Sequence, residues 1–75
     1  MKKLPRLSGK EVIKLLSKAG FVFVRQRGSH VILKKEISEE KFSLVVPNHK
    51  EIDKGTLLEI IRQSRLTKEE FMNLL

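Results

Sequence analysis

Cysteine, tryptophan and tyrosine are absent from this 75-residue sequence, and only two prolines and four glycines punctuate it. Without cysteine there is no disulfide framework, no thiolate nucleophile and no thiolate metal site. That usage fits the cytoplasm, the expected location. No apolar run approaches the roughly 20 residues of a membrane-spanning helix, and no helix pattern sets a basic face opposite a bulky aromatic one, so no membrane role is expected. The opening Met1-Lys2-Lys3-Leu4-Pro5-Arg6 is basic, but no apolar signal core follows it. A phosphate-cradling glycine loop is also missing, and no serine stands in a recognisable nucleophile setting. His30 and His49 would need a third ligand to hold a metal, and none is spaced for it. Neither a metal nor a small-molecule cofactor is expected.

What the chain has in excess is positive charge. Sixteen Lys and Arg oppose nine Asp and Glu, giving a net charge of +7 and a pI near 10.1. That surplus calls for an anionic partner, with nucleic acid first among the options. The length allows one domain, residues 1–75, which buries only about 60% of its unfolded surface. A deep cavity is not expected in so small a core. Chemistry on an open surface suits a polymeric substrate better than a metabolite.

Ser8 is placed to cap a helix running to about Ala19, with Glu11 completing a capping box. Val12, Leu15, Leu16 and Ala19 recur at helical spacing as a buried stripe, while Lys10, Lys14 and Lys18 occupy another face. Gly20 supplies the stop. Residues 21–27 are β-branched and aromatic, then basic, and read as a strand. Gly28-Ser29 is a two-residue hairpin turn with Gly at its first central position, and 30–35 is the returning strand. Residues 36–41 read as a polar connector, and 42–46 as a third strand that Pro47 ends. After the loop 48–53, Asp53 caps a helix over 54–64, whose Leu57, Leu58, Ile60 and Ile61 face inward. Thr67 and Glu70 form a second capping box, opening a short helix in which Phe71, Leu74 and Leu75 pack inward. The order α-β-β-β-α-α is an α+β, two-layer sandwich. Its three-stranded antiparallel sheet carries helices on one face and leaves the other open. It resembles the double-stranded-RNA-binding fold, a likeness that does not by itself establish function.

His30 opens the second strand directly after the turn, sharing a face with Ile32 and Lys34 opposite Val31 and Leu33. Arg25 and Arg27 approach from the partner strand. Nearby positive charge disfavours imidazolium, so the ring is expected to stay a neutral base near pH 7. Such a base can take the proton of an RNA 2′-hydroxyl, which then attacks the adjacent phosphorus while Arg and Lys stabilise the developing charge. No metal is needed, because that nucleophile is already held beside the phosphorus. By residue type alone, a single strand histidine is more often a surface or packing residue. His49 stands in the loop after the third strand, placed either to act as a general acid or to cap local backbone. Arg25, Arg27, Ser29, Lys34, His49, Lys50 and Lys54 are the candidate RNA contacts. A non-catalytic RNA-binding module using the same basic edge is the competing reading. A DNA-reading helix-turn-helix over 54–75 is disfavoured, since Lys68-Glu69-Glu70 would present paired carboxylates to phosphate.

Several stretches together resemble one family. In chain order they are Ser8-Gly9-Lys10-Glu11-Val12, Gly20-Phe21, Arg27-Gly28-Ser29-His30, Val46-Pro47-Asn48-His49 and Gly55-Thr56-Leu57-Leu58-Glu59-Ile60-Ile61, closing on Leu66-Thr67 and Glu70-Phe71. The chain resembles the HicA toxins over essentially its whole length. The resemblance implies a messenger-RNA-cleaving toxin with His30 catalytic, and an antitoxin partner, HicB, that covers the active face. Two positions depart from the family pattern. Val31 stands where a second ring often follows the histidine. Arg65 stands where glycine is common, at a position expected to need positive φ.

Overall fold

A computed structural model describes residues 4–75, so the basic start at residues 1–3 lies outside the described residues. The elements are α1 (Gly9–Lys18), β1 (Val22–Arg27), β2 (His30–Ile37), β3 (Glu40–Pro47), α2 (Lys54–Gln63) and α3 (Lys68–Met72). This is the expected α+β order, with one antiparallel sheet in the order β1-β2-β3.

Each helix starts where the sequence places a cap. Ser8 accepts from the Glu11 N–H while the Glu11 carboxylate accepts from the Ser8 N–H, and Thr67 and Glu70 repeat that box at α3. Asp53 caps α2 through the Thr56 N–H. Helix α1 ends in a full Schellman motif. The Phe21 N–H donates to the Leu16 carbonyl, the Gly20 N–H donates to the Ser17 carbonyl, and Gly20 has φ 102°. After α2, Arg65 takes φ 65°, as expected of that position, and the buried Ser64 hydroxyl closes the turn by accepting the Leu66 N–H and donating to the Ile61 carbonyl. The Arg65 guanidinium meets the Glu40 carboxylate at 2.5 Å and lies 4.4 Å from the centre of the Phe42 ring. Phe42 in turn meets Phe21 edge-on. The end of α2 is thereby tied to the far end of the sheet.

Residues 36–41 are not a connector. Strands β2 and β3 run on through them, with Ile37 paired to Glu40 across a two-residue turn, Ser38-Glu39. Both turn residues have positive φ, 48° and 70°. A turn with this pattern matches the right-handed twist of the strands, and it usually announces itself with Asn or Gly. Here Ser and Glu adopt it, and the polar strand ends beside it lie beyond the helices and face water.

The core is a single cluster between the sheet and the helices. Val31, Leu33, Leu44 and Val46 alternate along β2 and β3 and meet Val12, Leu15 and Leu16 of α1, Leu57, Ile60 and Ile61 of α2, and Phe71 of α3. Two inward assignments fail. Leu58 is 42% exposed and Leu75 59% exposed. Leu58 lies on the flank of α2 turned from the sheet, and Leu75 extends past the last turn of α3. Ile52 and Leu7 join the core instead, docked by a 2.8 Å hydrogen bond from the Ile52 N–H to the Leu7 carbonyl.

Acid should loosen this fold through three carboxylates. The Thr56 hydroxyl and N–H hold Asp53 below its ordinary value. Hydrogen bonds from Arg62 and then Gln63 bring Glu59 down to about 2. The Thr67 N–H and hydroxyl lower Glu70. A carboxylate with a lowered native pKa contributes stability above its unfolded pKa, near 4, and that contribution fades as pH falls through the native value. We therefore expect a melting temperature that is level from about pH 7 to 5 and declines between about pH 4.5 and 2. Glu59→Gln should flatten part of that decline. A variant with the full wild-type acid profile would remove Glu59 from the account.

Candidate active site

Strands β1 and β2 meet in a hairpin whose closing pair is Arg27 and His30. Gly28 has φ 58° and Ser29 is not among the positive-φ residues, the pattern of a turn needing glycine at its first central position. Space does not select that glycine, since a Cβ there would meet nothing within 4 Å. Conformation does. The Gln26 side-chain amide donates to the Gly28 carbonyl at 2.8 Å and braces the tip from one side. On the other side the Ser29 carbonyl accepts the Asn48 N–H at 2.6 Å. His30 is thus the first residue of a strand whose entry is pinned by backbone hydrogen bonds.

The register settles which side chains share its face. His30 pairs with Arg27 and with Pro47, and Ile32 pairs with Arg25 and Val45. These residues lie on the face opposite Val31 and Leu33, away from the helices. His30, Arg25 and Arg27 are all exposed there. A bulge at Val24, between the pairs Phe23–Leu33 and Arg25–Ile32, restores Arg25 to that face after the apolar start of β1. Lys34 shares the face but lies four residues along the strand from His30, roughly 13 Å away. Its backbone is thus well separated from the imidazole along the strand. Val31 is 3% exposed and points into the core. A ring at this position would not face the site, so Val31 removes no stacking surface from it.

The second histidine is brought to the same end of the molecule. His49 follows two residues after Pro47, the partner of His30, and so lies within roughly 7 Å of chain from it. Its carbonyl accepts the Gly9 N–H at 2.8 Å, which sets the loop against the start of α1. Gly9 is buried, and a Cβ there would stand 2.3 Å from the Pro47 carbonyl oxygen. Only glycine allows helix and loop to approach so closely. The resulting cleft is lined by Ser8, Lys10, Asn48, His49 and Lys50. Lys10 was not among the sequence candidates, because its neighbours there come from a segment some forty residues away. Lys54 stands exposed at the first position of α2. Among the described residues no three His, Asp or Glu side chains are grouped to hold a metal ion.

Most of the chain, including this hairpin, falls within one family match. The family model of the HicA toxin of bacterial toxin–antitoxin systems matches residues 9–66. The chain belongs to the HicA toxin family. No curated protein matches the sequence. The HicA match runs from the glycine that seats α1 through the hairpin and both loops of the site to Leu66, just past the Arg65 turn. It therefore contains the hairpin, His30 and His49, and every residue of the cleft lining except Ser8. No helix among the described residues is long and apolar enough to cross a membrane.

Proposed function

We propose that this HicA-family toxin is a metal-independent endoribonuclease that cuts messenger RNA with His30 as general base. The observation that carries the proposal is the placement of an exposed His30 on the open face, cross-strand from Arg27 and beside Arg25. His30 takes the 2′-hydroxyl proton, and the 2′-oxygen attacks the adjacent phosphorus. The P–O5′ bond breaks, leaving a 2′,3′-cyclic phosphate and a 5′-oxygen that takes up a proton. Arg27 and Arg25 stabilise the charge on the non-bridging oxygens. Lys34, Lys50 and Lys54 hold the chain on either side, with the Ser29 hydroxyl at the hairpin tip. His49 stands at the edge of the same region, where it can supply the proton to the leaving 5′-oxygen. The partner is a HicB-type antitoxin. An acidic patch on it would suit the basic face and cover the imidazole.

The test is strand scission by the purified chain in EDTA. Cleavage should persist, and a single 2′-deoxy substitution at the cut site should abolish it while leaving binding intact. Salt-sensitive binding without scission would instead make this a non-catalytic RNA-binding module.

A further inference from the structure

The cleft beside the hairpin gathers charge of one sign. Its volume is about 420 Å³, and of its lining residues Lys10, His49 and Lys50 are basic and none is acidic. Among the described residues, neither Lys10 nor Lys50 has a carboxylate within 4.0 Å; the ion pairs there are Arg6–Glu51, Arg62–Glu59 and Arg65–Glu40. Neither acid adjacent in sequence reaches a cleft lysine. Glu11 accepts the Ser8 N–H at 3.0 Å, and Glu51 reaches Arg6 at 4.0 Å. Cations held around one opening without a direct ion pair repel each other, and an anion between them relieves that repulsion. The helix start itself adds little. The Gly9 and Glu11 N–H groups are already taken by the His49 carbonyl and the Ser8 hydroxyl. Attraction must therefore come from the side chains.

The cleft is also rigidly placed relative to His30. The Asn48 N–H to Ser29 carbonyl bond joins its wall to the hairpin tip, and the Gly9 to His49 bond joins its two walls. Lys50 follows three residues after Pro47, the cross-strand partner of His30, within roughly 11 Å of chain. One RNA strand crossing the imidazole would continue into the opening.

We infer that this cleft is a second phosphodiester subsite, in which Lys10 and Lys50 grip the RNA backbone beside the cleaved nucleotide. The inference rests on the ribonuclease reading and adds to it Lys10 and the cleft that Lys10 shares with Lys50. The probe is a fluorescein-labelled, single-stranded RNA octanucleotide of mixed sequence. It is titrated at several KCl concentrations against the full chain carrying His30→Ala, so that the probe survives. Adding Lys10→Ala and Lys50→Ala together should weaken binding about ten- to a hundredfold at low salt. It should also reduce the slope of log K against log salt by about 1.4, since a single strand gives roughly 0.7 per phosphate contact. Lys68→Ala, on α3, should leave the slope unchanged. Both cleft lysines are exposed, so the fold should survive, and circular dichroism with a Lys10→Gln, Lys50→Gln pair checks this. An unchanged slope in the double variant while wild type still cuts the octanucleotide overturns the subsite alone. Wild type that neither binds nor cuts overturns the subsite and the ribonuclease reading together.

Discussion

His30→Ala should lower RNA cleavage by about 10²–10⁴-fold, the usual contribution of a positioned general base. The fold should not notice. His30 is exposed and its backbone, rather than its ring, makes the ladder contacts with Arg27 and Pro47. Surface substitutions of this kind change stability by about 0.5 kcal/mol or less. The variant should therefore melt with wild type, keep its affinity for RNA within a few-fold, and fail to arrest growth when induced. Residual cleavage near wild-type rate, measured under single-turnover conditions, would transfer the base role away from this residue. Single-turnover measurement matters because slow product release could mask a loss in the chemical step.

Gly9→Ala should be the most damaging small substitution in the chain. The new methyl would be 2.3 Å from the Pro47 carbonyl oxygen and 2.7 Å from the Asn48 Cα, and both are backbone atoms that cannot rotate aside. Relief requires α1 to lift from the loop, which breaks the Gly9 to His49 hydrogen bond. Overpacking costs about 1–3 kcal/mol and the lost bond about 1 more. A total near 3 kcal/mol is a large share of the roughly 5–15 kcal/mol that holds a domain together. In a domain of this size it corresponds to a fall in melting temperature of about 15 °C. Activity should fall as well, even in the fraction that stays folded, because the displaced loop carries Asn48 and His49. A melting temperature within about 2 °C of wild type would show that the junction yields more easily than its geometry implies.

Much of the architecture was legible because its signals are local. The capping boxes at Ser8–Glu11 and Thr67–Glu70, the Asp53 cap and the glycine turns at Gly20 and Gly28 each occupy a few consecutive residues and have one structural meaning. The Ser38-Glu39 turn was not legible, since neither residue type favours positive φ and the strand ends around it carry no apolar alternation. Leu58 and Leu75 were misplaced because helical periodicity fixes a stripe but not where the opposing layer stops. Of the candidate site, strand alternation and hairpin pairing gave the shared face of His30, Arg25 and Arg27, while the choice of His30 as catalytic came from the family resemblance. Lys10 and the cleft were not, because they exist only once α1 is seated on the loop after β3, and the signal for that seating is a single buried glycine.

Strand β1 lies along one edge of the sheet with all six residues exposed, including Val22, Phe23 and Val24. No helix lies over it, so detaching it uncovers little apolar surface, and such segments sit at the low end of a protein's range of local opening energies. His30 is on the next strand, and β3, Asn48 and α1 secure it from the other side. The free end of β1 is therefore expected to open before the rest of the sheet, while β2 stays paired to β3 and holds the imidazole. Arg27, closing the hairpin against His30, stays with the imidazole, and of the two arginines Arg25 lies nearer the end that opens.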